Sequence, residues 1–144
     1  MTLRWTELRP LLTLFVAGAL LPLAFAPFCF YPLAVLSPAL LFYFWIDVSP
    51  REAAWRGFVF GLGQFGVGVS WVFVAVHETG QTPVIVAGLL TFIFVSVLAS
   101  IPALVGYLAT RLRSGRDIDG WRLILLWLPL WWVVGEWLRG WLFT

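Results

Sequence analysis

Two stretches of this chain hold residues whose types and spacing could do chemistry. Glu136 and Arg139 lie three apart in "WWVVGEWLRGWLF", so a helix places them on one face, with Trp132 above and Phe143 below. A charge costs about 2.5–3.5 kcal/mol at the centre of a membrane helix and less near its ends. The pair reads either as a structural anchor or as a polar element beneath an external site that meets lipid head groups. In the second reading Arg139 suits a phosphate. His77 and Glu78 open "HETGQTP", an expected external loop in which Thr82 caps the next helix and Pro83 begins it. Cys29 lies in the other external connection, "PFCFYP". A Cys29–His77 dyad is topologically open. It requires the two within hydrogen-bond reach and surroundings that favour a thiolate, which Phe28 and Phe30 do not offer. One histidine and one cysteine build no metal site, and neither metal nor cofactor is expected.

The third candidate is "GLGQFG" at residues 61–66, which satisfies G-x-G-x-x-G. A dinucleotide turn needs a strand before the glycines, a helix after them and an acidic residue about 20 positions on. Here an arginine-flanked apolar helix runs up to and through the glycines, and the next acid is Glu78. No nucleotide is expected. On a helix, Gly57, Gly61, Gln64, Gly68 and Trp71 form one seam, spaced 4, 3, 4 and 3, while Gly63, Gly66 and Ser70 lie nearly opposite. Lipid supplies no hydrophobic force between helices, so close backbone contact at small residues must hold them together. Glycines on two faces therefore predict neighbours on both sides, and Gln64 is expected to point at one of them.

The elements that carry these residues follow from composition. The chain has 144 residues, 62% hydrophobic and 11% charged, with a mean hydropathy of +0.97. Soluble domains carry about 25% charged residues, so this chain has too few charges to cover a core in water. Its ten tryptophans and its arginines, with no lysine, suit a membrane protein with polar ends at the interfaces. The pI near 9.2 comes from dispersed arginines, which do not make a nucleic-acid surface. The single cysteine permits no internal disulfide. An apolar start ending in "AFA" resembles a signal peptide, but Pro27 follows at once, and the segment reads as a retained helix.

The expected fold is an all-α polytopic membrane bundle, one domain over residues 1–144. Five apolar segments cover about 10–26, 32–46, 53–76, 83–109 and 121–143. Pro22 and Pro38 should kink the first two, which would form either two spans or a shallow hairpin. Eight of the nine arginines (4, 9, 51, 56, 111, 113, 116 and 122) fall before segment one or in alternate connections. The positive-inside rule then makes the N-terminus cytoplasmic and the end of segment five external.

The stretches "LPLAFAPF", "GLGQFGVGVSWVFVAVHETG" and "EWLRGWLFT" resemble the N-terminal membrane region of bacterial apolipoprotein N-acyltransferases. The resemblance runs in order over nearly the whole chain and is strongest at 61–77 and 136–144. It implies a multi-pass enzyme of the bacterial inner membrane, with the bilayer as its setting. Its partners would be a phospholipid acyl donor and a diacylated lipoprotein acceptor, whose N-terminal cysteine receives the acyl chain through a thioester on the enzyme. The family's Glu-Lys-Cys triad belongs to a periplasmic nitrilase-like domain inserted after the seventh of eight membrane helices. This chain has no lysine, Cys29 lacks the nucleophile's context, and "HETG" replaces a more usual aromatic before that glycine. It matches the family only through its fifth helix, so by itself it is expected to be an inert scaffold. Trp71, His77, Glu78, Glu136, Arg139 and Trp141 are the expected lipid- or loop-contacting residues, and none of them the acid, base or nucleophile. The other readings are a stand-alone membrane scaffold or lipid-binding protein and, ranked last, a transporter fragment.

Overall fold

The computed structural model describes residues 5–113 and 118–143, with side chains from Leu8 onward. Arg4 and Arg116, two of the arginines used for orientation, lie outside the described residues. Among the described residues every regular element is a helix. Helix α1 (Trp5–Leu20) passes into a 3-10 turn (Leu21–Ala24), and α2 (Pro32–Phe44) returns beside it. Pro22 and Pro32 each lie at the start of their element, where a missing N–H costs no intrahelical bond. A hydroxyl then ties the hairpin: buried Ser37 donates to the Ala17 carbonyl at 2.6 Å.

Helix α3 (Pro50–Gly68) starts three residues before its expected start at 53. The reason is local. Ser49 is extended, its side chain accepts from the Glu52 amide at 3.3 Å, and Pro50 occupies the first helical position. Arg56 donates to Glu52 and to the Phe44 carbonyl, closing the turn between α2 and α3. Nearby, Trp45 is 1% exposed and donates its indole N–H to Ala53 O at 2.9 Å.

Segment three does not run as one helix over 53–76. It breaks at Val69–Ser70, and α4 (Trp71–Val74), with a π turn (Ala75–Thr79), continues at 54° to α3. Low-propensity Gly66 and Gly68 precede the break, and Ser70 Oγ donates to Val67 O at 3.0 Å, capturing a carbonyl the helix would have used. Helix α5 (Val84–Arg113) has 30 residues and is long enough, at about 45 Å, to exceed a bilayer's hydrocarbon thickness. The last segment is a continuous 24-residue helix, Gly120–Phe143, made of α6 (Gly120–Arg122), a π turn (Leu123–Trp127) and α7 (Leu128–Phe143). Pro129 has no N–H, and the Leu128 amide just before it reaches back five residues to Leu123 O.

Among the described residues two helices, α5 and Gly120–Phe143, are long and apolar enough to cross a membrane, or three if the bent α3–α4 pair is one span. The expected count of five is not reached on length alone, because Leu8–Ala24 and Pro32–Phe44 are shorter apolar helices.

Helix α3 sits between α5 and α1, while α7 packs on α5 and α2 on α1. Its glycines divide differently from a simple two-face pattern. A Cβ on Gly57 would run into the Pro102 carbonyl, and one on Gly61 would lie 2.8 Å from Ala99 Cα and Pro102 Cγ, both of α5. A Cβ on Gly63 would run into the Phe15 carbonyl of α1, while Gly18 on α1 meets the Phe60 carbonyl in the same way. Gly68 faces Pro22, at 3.4 Å. Gly66 has no neighbour within 4 Å of where its Cβ would be. It departs from the expected packing role and instead lines a cavity of about 340 Å3 with Phe73 and Gly88. The break also removes Trp71 from the seam, since the helical phase is lost at Val69. Fully buried Leu14, Leu41, Trp45, Phe60, Leu123 and Leu128 form the main core, and Phe65, Val95 and Leu98 a second cluster.

Candidate functional site

Helix α7 presents Glu136 and Arg139 one turn apart, and they pair. Arg139 Nε and Nη2 both donate to Glu136 Oε2, at 3.0 and 2.8 Å. The two side chains are 34% and 37% exposed, so the pair is neither sealed in the core nor free at the surface. The guanidinium carbon lies 5.9 Å from the Phe65 ring centroid, a cation–π contact that fixes it toward α3.

Arg139 forms one wall of a cavity of about 370 Å3. The last turns of α3 supply Gln64, Phe65 and Gly68, and the stretch after α1 supplies Leu21, Pro22, Phe25 and Phe28. The 3-10 turn is what brings that stretch across, since it redirects the chain at Leu21 and leaves Phe25 extended. Gln64 Oε1 is buried without a hydrogen-bond partner. The cavity is therefore apolar on most sides, with one half-engaged cation and one unpaired carboxamide. It can hold an amphiphile with a small polar head.

The remaining expected residues are elsewhere. Trp71, half of an exposed α4 face, and exposed Glu78 form no hydrogen bond or ion pair with Glu136 or Arg139 among the described residues. His77 lies in the π turn, stacks on Phe73 at 5.8 Å, and approaches the Thr82 carbonyl through Nδ1 at 2.7 Å. A carbonyl only accepts, so Nδ1 carries a proton in this contact. Thr82 departs from its expected capping role: its hydroxyl donates to Gly80 O at 3.2 Å, and α5 begins at Val84. Trp141 is exposed near the end of α7. Cys29 is exposed at a positive φ of 55°, with no hydrogen bond to His77. "GLGQFG" lies wholly inside α3, without the turn a pyrophosphate would need.

Sequence reasoning missed Phe65, the ring under Arg139, because it sits among the glycines of 61–66 and reads as spacer. It missed the wall from Leu21 to Phe28 as well. The available signal was Pro22 immediately after an apolar helix, which marks a redirected chain rather than a mild kink.

These features define a chain whose described elements are all helical, two or three of them long and apolar enough to cross a membrane, with an amphiphilic cavity at one end of the bundle. Residues 17–144 match the model of the apolipoprotein N-acyltransferase N-terminal domain, and the chain belongs to that family. It is 49% identical over 137 residues to the apolipoprotein N-acyltransferase of Methylococcus capsulatus, covering 95% of this chain and 27% of the relative. With that of Coxiella burnetii it shares 46% over 129 residues (90% and 26%), and with that of Vibrio cholerae 41% over 137 residues (95% and 26%). The chain thus spans about a quarter of the length of the curated relatives it matches.

Proposed function

We propose that this chain is the membrane part of an apolipoprotein N-acyltransferase, which moves an acyl chain from a phospholipid to the N-terminal cysteine of a diacylated lipoprotein. The observation that carries the reading is the family match over residues 17–144. The 144 residues contain no lysine, so a Glu-Lys-Cys triad is not assembled from them. Their role is to hold the catalytic domain at the outer leaflet of the bacterial inner membrane and to present phospholipid and lipoprotein laterally. Five membrane-embedded segments, with the N-terminus cytoplasmic and the end of α7 periplasmic, fit this role and the arginine distribution. Trp71, His77, Glu78, Glu136, Arg139 and Trp141 would then lie toward the periplasmic face as lipid- or loop-contacting residues. Gly57, Gly61 and Gly63 would fix the helix spacing that holds them.

The test uses the full-length protein containing these residues, reconstituted in nanodiscs of phosphatidylethanolamine with a synthetic diacylated lipopeptide. The expected result is a peptide heavier by one acyl chain, and no transfer by the 144 residues alone. A folded full-length protein that leaves the peptide unchanged, while retaining phospholipid, would favour a lipid-binding scaffold and overturn the enzymatic reading.

A further inference from the structure

The helices of the bundle have unequal apolar lengths. From Tyr31 at the cap of α2 to Asp47 just past its end, the chain rises at most about 24 Å. Between Arg122 and Arg139 the last helix rises about 25 Å. Helix α5 carries no charge over residues 84–110 and rises about 40 Å along them. A bilayer's hydrocarbon core is about 30 Å deep, so one flat core cannot match all three. Tilting the whole bundle would suit α5 but would shorten the other two further. Packing places the difference at one end. At the arginine-rich end, Trp45 donates to Ala53 O and fills the space beside Gly106 of α5, and Arg113 reaches Asp47 at 3.4 Å. The ends of α2, α3 and α5 are level there. At the other end of α3, Gly68 faces Pro22, seven residues beyond Gly61, which faces Ala99. Helix α5 runs opposite to α3, so seven residues from Ala99 lead to Phe92. Residues 84–91 therefore stand about 12 Å beyond the hairpin tip.

The residues at that level match an interface rather than hydrocarbon. The tip, residues 25–31, carries no charge and exposes Phe25, Phe28, Phe30 and Tyr31, and aromatic rings gather where membrane meets water. Glu136 and Arg139 lie slightly lower, because the guanidinium sits 5.9 Å from the ring of Phe65, which precedes Gly68 by one turn of α3. Both charged side chains are partly exposed, and charges open to hydrocarbon are costly. A span shorter than the core draws the bilayer toward its own length. We propose that the α1–α2 hairpin and the outer half of α7 fit a bilayer thinned on their side by about 6 Å. The partner is a lipid surface that dips to the hairpin tip while α5 keeps the full depth on the opposite side. Water and head groups then reach the Glu136–Arg139 pair without either charge facing acyl chains. This rests on the membrane setting proposed above, but neither on acyl transfer nor on which leaflet is periplasmic.

The test measures depth in the full-length protein by electron paramagnetic resonance. A nitroxide is attached through p-acetylphenylalanine placed at Tyr31 or Phe30 on the hairpin tip, or at Phe92 or Ile93 at the same level of α5, all exposed side chains. Either member of each pair suffices, so one variant that fails to fold does not remove the comparison. The labelled proteins are reconstituted in nanodiscs of dioleoylphosphatidylcholine and of dierucoylphosphatidylcholine, whose longer chains make a thicker core. Collisions are counted with oxygen, which enters hydrocarbon, and with nickel ethylenediaminediacetate, which stays in water. In the thicker bilayer the tip labels should keep their nickel accessibility, while the α5 labels lose theirs severalfold. A parallel loss at both places would mean that a flat membrane closes over the hairpin, and would overturn the proposal. Unchanged nickel accessibility at both would mean even adaptation around the bundle, and shielding of the tip from both agents would mean that other parts of the protein cover it. Either result overturns the proposal as well. A label at exposed Leu36, midway along α2, separates the two readings. Oxygen should dominate there in both bilayers, and nickel access at Leu36 would instead refute the membrane setting itself.

Discussion

Gly61 and Gly66 lie five residues apart in one helix, yet their surroundings differ enough to predict opposite responses to the same methyl group. A Cβ on Gly61 would sit 2.8 Å from Ala99 Cα and from Pro102 Cγ, and 3.0 Å from Ala99 Cβ. Ordinary contact begins near 3.4 Å, so α3 and α5 must separate by about 0.6 Å. Two of the three obstructing atoms belong to Ala99, which has no rotamer to change, and the third to a rigid proline ring. A gap of about 0.5–1 Å forfeits a quarter to a half of the dispersion well along the seam, and overpacking costs about 1–3 kcal/mol. Gly66→Ala meets nothing within 4 Å and gains about 0.5–1 kcal/mol of helix propensity. That gain is common to both substitutions, so their difference reads the contact alone. Gly61→Ala should be less stable than Gly66→Ala by about 2 kcal/mol. The measurement is far-UV circular dichroism during titration of the bicelle-reconstituted protein with sodium dodecyl sulfate. Equal midpoints for the two variants would refute the argument that close approach at Gly61 holds α3 on α5.

Three further outcomes follow from contacts already described. Ser37→Ala should cost about 1 kcal/mol, by removing the one hydroxyl that bonds α2 to the Ala17 carbonyl, read in the same titration. Trp45→Phe should cost about 2–3 kcal/mol, because it loses the bond to Ala53 O and opens a void beside Gly106. Exposed Cys29, the only thiol in these 144 residues, should react with a membrane-impermeant maleimide added to spheroplasts, read as the labelling of the full-length protein that Cys29→Ala removes, and labelling of Cys29 only after permeabilisation would reverse the proposed orientation.

The helical fold was legible because lipid as solvent leaves few alternatives: long apolar runs must satisfy their backbone internally. Helix ends were less so. "SPRE" contained the Ser49–Glu52 cap and could have moved the start of α3 back from 53, but the apolar run begins later and hid it. The break at Val69–Ser70 follows from competition between Ser70 and the helix for a carbonyl, which a hydrophobicity profile does not register. Glu136 and Arg139 were readable as a pair from their spacing, since i and i+3 fix proximity on one helix. That Arg139 would lie over Phe65 and beside Gln64 depends on the rotation of α7 against α3, and no local pattern encodes it. Gly66 was misjudged for the same reason, since whether a neighbouring helix reaches it depends on how the helices are rotated against α3.

The π turn at Leu123–Trp127 has a consequence for everything beyond it. A π turn accommodates one residue more than the α-helix would, and each residue of an α-helix advances about 100° around the axis. Deleting one residue there would restore regular winding. It would also turn the outer half of the helix by about a quarter revolution, swinging Glu136 and Arg139 away from Phe65 and Gln64. The irregular turn thus works as an angular offset between the two halves of one rod. The inner part sets Leu123 in the core, and the outer part must set both Leu128 in the core and the Glu136–Arg139 pair at the cavity.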